Sequence, residues 1–175
     1  MDRAGTLARA SEAVVEQWIE HFEAAVVQTC FVMLRDHSLA QDAAQDTFLK
    51  AWQRYGQFEG RGESSEKTWI MRIAINTCKD YKRSLWLKRV DLKREIDQLP
   101  QTECPQEARE QEVFEAIVRL PDRYRAAILL YYYHNLTMAE TAQALGLAVS
   151  SVHNRLEKAR RLLRGTLEGR ESHES

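Results

Sequence analysis

The sequence predicts an all-α protein of two small helical domains joined by a flexible linker. Apolar residues recur at spacings of three and four along most of the 175-residue chain, which is the period of an amphipathic helix. No segment alternates apolar and polar residues as a half-buried strand does. Two capping-box patterns mark helix starts, and a proline-containing acidic stretch near the middle marks a domain boundary.

The composition indicates a folded cytoplasmic protein without a cofactor. The net charge is -1, with 44% hydrophobic and 29% charged residues, values that are ordinary for a soluble domain. The cysteines Cys30, Cys78 and Cys104 are scattered, as expected for reduced thiols. No CxxC or HExxH spacing, no Gly-rich phosphate loop and no secretory signal appears, so we expect neither a metal nor a small-molecule substrate.

The first domain is expected over residues 11–94, after a frayed start that ends at about Ala10. A helix with Trp18 and Phe22 on its apolar face ends near Asp36. Ser38 and Gln41 then have the spacing of a capping box, with Ser38 as the N-cap of a second helix. The residues expected to be buried in that helix are Ala44, Phe48, Ala51, Trp52 and Tyr55. Its polar face carries Asp42, Gln45, Asp46, Lys50 and Gln53.

A loop over Gly56–Lys67, rich in glycine and serine, is expected to lead into a helix over Thr68–Arg83. The helix should pack along Ile70, Ile73, Ala74, Cys78 and Tyr81. On the opposite face Arg72, Asn76, Lys79 and Arg83 follow one another at i, i+4, i+7 and i+11, so they form one stripe. Such a stripe suits a polyanion with readable edges, although an ordinary solvated basic face has the same pattern.

Charge is distributed unevenly along the chain. Lys79–Arg94 carries seven Lys and Arg residues, Glu95–Glu112 carries six acids, and His153–Arg164 carries five Lys and Arg residues. Because two basic patches flank an acidic segment, the pattern favours two contact sites on one long polyanion. The acidic segment, residues 95–112, contains Pro100 and Pro105 and is expected to be the linker.

The second domain, residues 113–166, has the organisation of a helix-turn-helix. A short helix from Val113 should end at Pro121, and Asp122–His134 reads as an apolar core helix. Thr137–Glu140 is a second capping box, Gly146 a helix C-cap, and about Val149–Arg164 a basic last helix. Its candidates for base edges are Ser150, His153, Asn154, Glu157 and Lys158, and its candidates for phosphates or a partner's acidic surface are Arg155, Arg160, Arg161 and Arg164. A plain helical hairpin is the alternative.

Aromatic residues lie among cations in the first domain. Tyr55, Phe58, Trp69 and Tyr81 are interspersed with Arg61, Lys67, Arg72, Lys79 and Arg83. Aromatic faces beside cations suit unstacked bases, and a flexible loop can close over a flipped base. Alternatively, Trp69 and Tyr81 are core residues and Phe58 anchors the loop.

Three segments in this order resemble the extracytoplasmic-function sigma factors, small bacterial sigma factors that retain regions 2 and 4. They are DAAQDTFLKAWQRYGQFEG, TWIMRIAINTCKDYKR and the helix-turn-helix, and the resemblance covers about residues 17–165. It implies a non-enzymatic initiation factor that directs core RNA polymerase to promoters. Region 2 would bind the clamp helices of the largest subunit and open the minus-ten element, and region 4 would bind the flap and read the minus-35 element. An anti-sigma factor is a further implied partner.

The resemblance also implies roles for individual residues. For core polymerase binding they are Asp42, Gln45, Asp46, Phe48, Lys50 and Trp52, of which Phe48 and Trp52 are also candidates for packing alone. For the minus-ten element they are Phe58, Arg61, Ser64, Lys67, Trp69, Arg72, Asn76, Lys79, Asp80 and Arg83. For the minus-35 element they are Ser150, Ser151, His153, Asn154, Arg155, Glu157, Lys158 and Arg161.

Two departures and one rival bear on this hypothesis. Ala148 stands where the family usually has a capping Ser, so Ser150 or Ser151 is an alternative start for the last helix. The loop before Trp69 lacks the aromatic or Leu residue that the family often carries there, which leaves its base preference open. The rival is an autonomous helix-turn-helix regulator with an N-terminal dimerisation domain, which leaves the stripe on the third helix unexplained.

Overall fold

The computed structural model describes residues 3–60, 63–87 and 108–171, with side chains for 12–60, 65–87 and 112–169. Every regular element in these ranges is helical, as the sequence predicts. The chain divides into two compact units, residues 1–91 and 92–175. Unit 1 contains α1 (Arg3–Leu34), α2 (His37–Gln53), a 3-10 turn (Tyr55–Gln57) and α3 (Glu63–Leu87). Unit 2 contains α4 (Ala108–Arg119), α5 (Asp122–Ile128), a π-helical turn (Leu129–Tyr133), α6 (Met138–Leu145) and α7 (Val149–Glu171).

Unit 1 is a three-helix bundle in which α1, α2 and α3 pack on one another in all three pairs. Small side chains on α2 allow this packing. The inner face of α2 contains one large residue, Phe48, and otherwise the small residues Ala40, Ala43, Ala44, Thr47 and Ala51, all buried. The Thr47 hydroxyl donates to the Ala43 carbonyl at 2.7 Å, so its polar atom is satisfied within the helix. Because these side chains are short, the neighbouring helices approach closely, and the larger Met33 and Ile70 fill the centre.

Three helix starts in unit 1 differ from the sequence expectation. α1 already begins at Arg3, within the segment expected to be frayed. α2 is capped by Asp36, whose side chain accepts from the Leu39 amide at 2.7 Å. Ser38 is therefore inside the helix, and the predicted Ser38 capping box is wrong because a better-placed carboxylate precedes it. α3 begins at Glu63 rather than Thr68 and runs to Leu87, so the loop is shorter than predicted.

Two free cysteines face each other inside unit 1. Cys30 of α1 and Cys78 of α3 are fully buried. Hydrogen bonding with Cys78, together with burial, raises the pKa of the Cys30 thiol. Because the thiolate is the reactive form of cysteine, this pair serves as apolar filling between the two helices.

Unit 2 packs around the first half of α7, which contacts α4, α5 and α6. The buried residues of α7 are Val152, Leu156 and Ala159, and the adjacent α5 buries Ala126, Ala127 and Ile128. The predicted single helix over Asp122–His134 is divided, because its second part, Leu129–Tyr133, forms a π-helical turn. There the His134 amide bonds to the Leu129 carbonyl at 3.0 Å. The wider turn leaves Tyr132 and Tyr133 exposed while Leu129 and Leu130 stay buried.

The turn between α6 and α7 has the predicted chemistry. The Thr137 hydroxyl accepts from the Glu140 amide at 3.2 Å, and the Glu140 carboxylate accepts from the Thr137 amide at 2.8 Å, so the capping box is confirmed. Gly146 ends α6 at φ 66°, in the left-handed region that favours glycine. The Leu147 amide then bonds to the Ala142 carbonyl at 2.9 Å, which closes the turn.

The start of α7 settles the question left open at Ala148. The Ser151 and Val152 amides both bond to the Ala148 carbonyl, at 3.0 and 3.2 Å. Ala148 therefore occupies the cap position without a side-chain acceptor, and the helix begins at Val149 without a shift to either serine. α7 continues to Glu171, beyond the predicted Arg164. Of the expected linker, residues 95–107 lie outside the described residues, and 108–112 belong to α4.

We expect Thr137→Ala to lower the free energy of unfolding of unit 2 by about 1 kcal/mol, because the Glu140 amide loses its capping acceptor. Denaturant titration followed by far-ultraviolet circular dichroism measures the change. The matched control is Thr166→Ala, because the Thr166 hydroxyl donates only to the Leu162 carbonyl of its own helix at 2.9 Å. Equal losses in the two variants would contradict this role of the capping box.

Candidate nucleic-acid interface

The outer face of α3 carries the predicted stripe. Arg72, Asn76, Lys79 and Arg83 are all exposed, while Ile70, Ile73, Ala74 and Cys78 are buried on the other side. Within the described part of the chain, Arg72 and Lys79 make no ion pair. Two cations with an amide between them are therefore presented to solvent in a row.

Asp80 links this stripe to α2. Its carboxylate lies 2.7 Å from a guanidinium nitrogen of Arg83 and 3.5 Å from the Lys50 ammonium nitrogen. Lys50 also donates to the Thr77 hydroxyl at 3.1 Å. Asp80 is thus positioned to orient Arg83 along the stripe. Because Asp80 and Arg83 are more than half exposed, their ion pair contributes more to orientation than to stability.

A second bond joins the same two helices on the other side of Lys50. The Tyr81 hydroxyl donates to the Asp46 carboxylate at 2.7 Å, in a half-buried position. Burial and this hydrogen bond raise the pKa of the Tyr81 phenol. Asp46 and Lys50, both assigned to polymerase binding by the resemblance, therefore face α3.

An aromatic cluster lies at the start of α3. The Phe58 ring is 5.2 Å from the Trp18 ring and 5.1 Å from the Trp69 ring, measured between centroids, and Trp18 is 5.9 Å from Tyr55. Trp18 is buried, whereas Phe58, Trp69 and Tyr55 are half-buried. The Phe58 ring lies so close to Gly60 that a Cβ at that position would overlap it. Phe58 and Trp69 thus have a packing role and keep part of their surface open.

For three further minus-ten candidates, Arg61, Ser64 and Lys67, the structure gives less detail. Arg61 lies outside the described residues, and so does the side chain of Ser64, whose backbone is in α3. Lys67 is half-buried on α3. The structure consequently brings together Phe58, Trp69 and the exposed stripe along α3.

The outward edge of α2 combines polar and apolar residues. Asp42 and Gln45 are exposed, and so are Leu49, at 49%, and Trp52, at 40%. Exposed apolar side chains of this size in a row suit a protein partner. One expectation is corrected, because Trp52 lies on the surface, outside the predicted core. Phe48, at 6% exposure, is buried as predicted, which favours its alternative role in packing.

The predicted reading residues lie on the outer face of α7. Ser150, His153, Asn154, Lys158 and Arg161 are exposed, and Ser151, Arg155 and Glu157 are half-buried. Val152, Leu156 and Ala159 occupy the opposite, buried face. Because α7 begins at Val149, the exposed set includes its first turns, which is the part that a helix-turn-helix presents to the major groove.

Arg160 connects the reading face to the π-helical turn. Its Nε donates to the Tyr132 hydroxyl at 2.7 Å, and its guanidinium lies 5.6 Å from the centre of the Tyr132 ring. A terminal nitrogen of Arg160 donates to the Glu157 carboxylate in a short ion pair. The ion pair with Arg160 thereby fixes the orientation of the Glu157 side chain, and it occupies part of the hydrogen-bond acceptor capacity of the carboxylate in the free protein.

The sequence reasoning missed Leu49, Tyr132 and Trp86 as exposed surface features. Leu49 stands seven residues after Asp42 and three before Trp52, so the helical period places it on the polar face. Trp86 stands three residues after Arg83, in line with the stripe, and is 78% exposed. The predicted apolar helix over Asp122–His134 placed Tyr132 in the core, which is wrong, because Tyr132 is 45% exposed and its contact with Arg160 depends on the π-helical turn.

The described residues contain no group of three or more His, Cys, Asp or Glu side chains positioned to hold a metal ion. Among the helices in these ranges, none is both long enough and apolar enough to span a membrane.

Fold and site together define a two-unit helical DNA-binding protein with a helix-turn-helix in its second unit. Two family models match the chain, Sigma-70 region 2 over residues 18–88 and Sigma-70, region 4 over residues 110–163. Among curated relatives, the Pseudomonas aeruginosa RNA polymerase sigma-H factor is 30% identical over 141 residues, covering 73% of this chain and 72% of that protein. The Mycobacterium tuberculosis ECF RNA polymerase sigma factor SigL is 27% identical over 172 residues, covering 96% of this chain and 97% of that protein.

Solved structures share the fold. One is CnrH in complex with the cytosolic domain of CnrY, with a TM-score of 0.66 and 23% identity, covering 96% of this chain and 99% of that one. Another is the sigma factor RpoE in complex with the anti-sigma factor NepR from Bartonella quintana, with a TM-score of 0.65 and 22% identity, covering 87% of this chain and 96% of that one.

The chain belongs to the sigma-70 family of RNA polymerase sigma factors, in its extracytoplasmic-function group. It is an alternative transcription initiation factor that directs core RNA polymerase to promoters. This family membership favours the sigma factor hypothesis over the hypothesis of an autonomous helix-turn-helix regulator.

We expect Tyr81→Phe to lower the free energy of unfolding of unit 1 by about 1–2 kcal/mol near neutral pH, because the bond to the Asp46 carboxylate is lost. Since the folded-state pKa of Tyr81 is raised, this contribution is complete below the unfolded value of about 10 and is lost as the pH rises further. The stability difference between wild type and variant should therefore shrink above about pH 10 in denaturant titrations. A difference that stays constant with pH would contradict the assignment.

Proposed function

We propose that the three exposed faces divide the work of initiation. The stripe on α3 and the adjacent aromatic cluster hold the unpaired minus-ten strand, the outer face of α7 reads the minus-35 element, and the outward edge of α2 binds polymerase. In this assignment sigma region 2 spans residues 11–94, the linker 95–112 and sigma region 4 residues 113–166. The observation that carries the proposal is the exposed row Arg72, Asn76, Lys79 and Arg83, opposite a fully buried face of the same helix.

Melting follows from differential binding. Cations along α3 attract phosphates of paired and unpaired DNA alike, whereas an open aromatic face stacks only on a base that has left the duplex. Phe58 and Trp69 retain such half-exposed faces next to the start of the stripe. Binding therefore favours the separated strand, and Asn76 adds donors and an acceptor for a base edge. The family resemblance also assigns Arg61, and Ser64 at the start of α3, to capture of a minus-ten base.

Recognition of the minus-35 element is assigned to the exposed residues of α7. Asn154 is suited to an adenine edge, and Lys158 and Arg161 to guanine or phosphate. Glu157 acts as a pair with Arg160, since the two side chains are bonded to each other. A base at this position therefore meets the Glu157 carboxylate with Arg160 beside it.

Polymerase binding is assigned to Asp42, Gln45, Leu49 and Trp52. The apolar pair supplies the area that is removed from water on binding, and the acidic and amide groups favour basic or polar partner residues. Asp46 and Lys50 act indirectly, because they bond to Tyr81, Thr77 and Asp80 of α3. The clamp helices of the largest subunit are the implied partner here, and the flap is the implied partner of region 4.

The regulatory setting is inferred from the relatives. RpoE was solved with the anti-sigma factor NepR, and we infer that an anti-sigma factor also holds this chain by covering its polymerase-binding surface. The protein performs no covalent chemistry, takes no cofactor and acts in the cytoplasm, where its polymerase and promoter DNA are found. Affinity for DNA is weak until polymerase is bound, because the net charge is -1 and each cationic face is small.

We expect charge reversal at Arg72 and Lys79 to abolish promoter opening. The double variant Arg72→Glu, Lys79→Glu should still bind polymerase, but its holoenzyme should leave the thymines of the minus-ten element paired. The measurement is the permanganate reactivity of those thymines. The promoter is one found by in vitro transcription of a genomic library. Each lost phosphate contact should also lower the slope of log affinity against log salt by about 0.7 on single-stranded DNA.

The matched control exchanges the two cations while keeping their charge. Arg72→Lys with Lys79→Arg should open the promoter to within a fewfold of wild type, because phosphate attraction depends mainly on charge. The proposal is wrong if the charge-reversed holoenzyme opens the promoter as well as wild type does.

Truncation of the apolar edge of α2 tests the polymerase contact. We expect Leu49→Ala with Trp52→Ala to weaken core polymerase binding by about tenfold or more, because the two largest exposed anchors of that edge are lost. Gln28→Ala, at an exposed position on α1, is the control. Affinities measured by fluorescence anisotropy of labelled protein give the comparison. Unchanged affinity of the double variant would assign polymerase binding to another surface.

A further inference from the structure

Trp86 is the most exposed of the large apolar side chains in the described part of the chain. It is 78% exposed, and its neighbour Leu87 is 68% exposed, compared with 40% for Trp52. Water around an indole is unfavourable, and the indole of Trp18 in the same unit is buried, at 2% exposure. Neither the fold of unit 1 nor the assigned minus-ten residues account for this exposure.

Trp86 lies in line with the cationic stripe. It follows Lys79 by seven residues and Arg83 by three, so the helical period places it on the face that carries Arg72 and Asn76. α3 is continuous from Glu63 to Leu87. At 1.5 Å per residue the indole is about 21 Å along the helix from Arg72, at the end farthest from the aromatic cluster.

We propose that Trp86 is a further promoter contact, which packs its indole against duplex DNA upstream of the unpaired minus-ten segment. This inference rests on the proposed function of α3. The aromatic cluster at the start of α3 takes the unpaired strand, so paired DNA continues past the far end of the helix. A displacement of about 21 Å corresponds to roughly six nucleotide steps of 3.4 Å.

The charge around Trp86 favours DNA over a protein partner. Arg83 precedes the indole by one turn on the same face, and Lys88 and Arg89 follow it in the sequence. Lys is depleted in protein interfaces, whereas duplex DNA presents a dense row of phosphates that Lys and Arg neutralise, so cations on both sides of the indole favour DNA. The flat indole can cover deoxyribose carbons while its N–H donates to a phosphate oxygen.

The test uses full-length protein bound to core polymerase and two DNA probes. One is a fork with the upstream duplex and a single-stranded minus-ten segment, and the other is the single-stranded segment alone. Trp86→Ala should weaken fork binding about tenfold and leave the single-stranded probe within twofold of wild type. Trp86→Tyr should retain most of the fork affinity, because a flat ring with a donor remains.

The matched control moves the indole without removing it. Ser84 is exposed on the same turn but faces away from the stripe, so Trp86→Ser with Ser84→Trp keeps the composition and changes only the face. This variant should be as defective on the fork as Trp86→Ala. Because both positions are exposed, thermal unfolding should be unchanged in every variant, which separates lost contact from lost folding.

Three results would overturn the inference. The first is that Trp86→Ala binds the fork as tightly as wild type does. The second is that it loses affinity equally for both probes. The third is that it binds polymerase more weakly while its affinity for both DNA probes is unchanged, which would make the surface a protein contact. The charge-reversed Arg72, Lys79 variant distinguishes a failure of the proposed function from a failure of the inference about Trp86. If that variant binds both probes normally, the proposed function itself fails; if it is defective and Trp86→Ala is normal, only the inference about Trp86 fails.

Discussion

The organisation of unit 1 depends on one constraint, which is that α3 has to be buried along one face and solvated along the other. Ile70, Ala74 and Cys78 are fully buried, so the helix has no freedom to rotate about its axis. Arg72 and Lys79 on the opposite face are thereby held in a fixed row before any ligand arrives. Ordering of the backbone is then part of folding and not a cost of binding, which is the advantage of a preorganised site.

α2 transmits that constraint to a second surface. Its small inner residues pack against its neighbours, its Asp46 and Lys50 side chains bond to α3, and its outward edge, the proposed polymerase contact, is exposed. A partner bound at that edge in the proposed way would lie at a fixed distance and angle from α3. In the proposed assignment, the two modest cationic faces then act at high effective concentration on one DNA molecule.

Much of the fold followed from the sequence, because burial of apolar residues at helical spacing dominates every element. The features that the sequence did not predict arose where two local signals competed or where tertiary contact decided. Asp36 took the cap that Ser38 was expected to provide, and the start of α3 at Glu63 extended into a segment whose composition favoured a loop. The π-helical turn has no sequence signature of its own.

The candidate site was predictable to a similar degree. The stripe on α3 came directly from spacing, since an exposed row needs only the helical period. The pairings of Asp46 with Tyr81 and of Arg160 with Tyr132 required the three-dimensional packing of separate helices. Trp86 was not singled out from the sequence, and its 78% exposure became apparent only in the structure.

The buried thiol pair of Cys30 and Cys78 has a practical consequence for spectroscopy. Since both sulfur atoms are enclosed and their chemistry is that of small apolar groups, a dye-labelled form of this factor can keep both of them. A single new cysteine at an exposed site such as Ser84, in a chain whose Cys104 has been exchanged for serine, then gives one attachment point on the outside of α3. Energy transfer from that point to labelled promoter DNA reports strand separation in real time without disturbing the interior of unit 1.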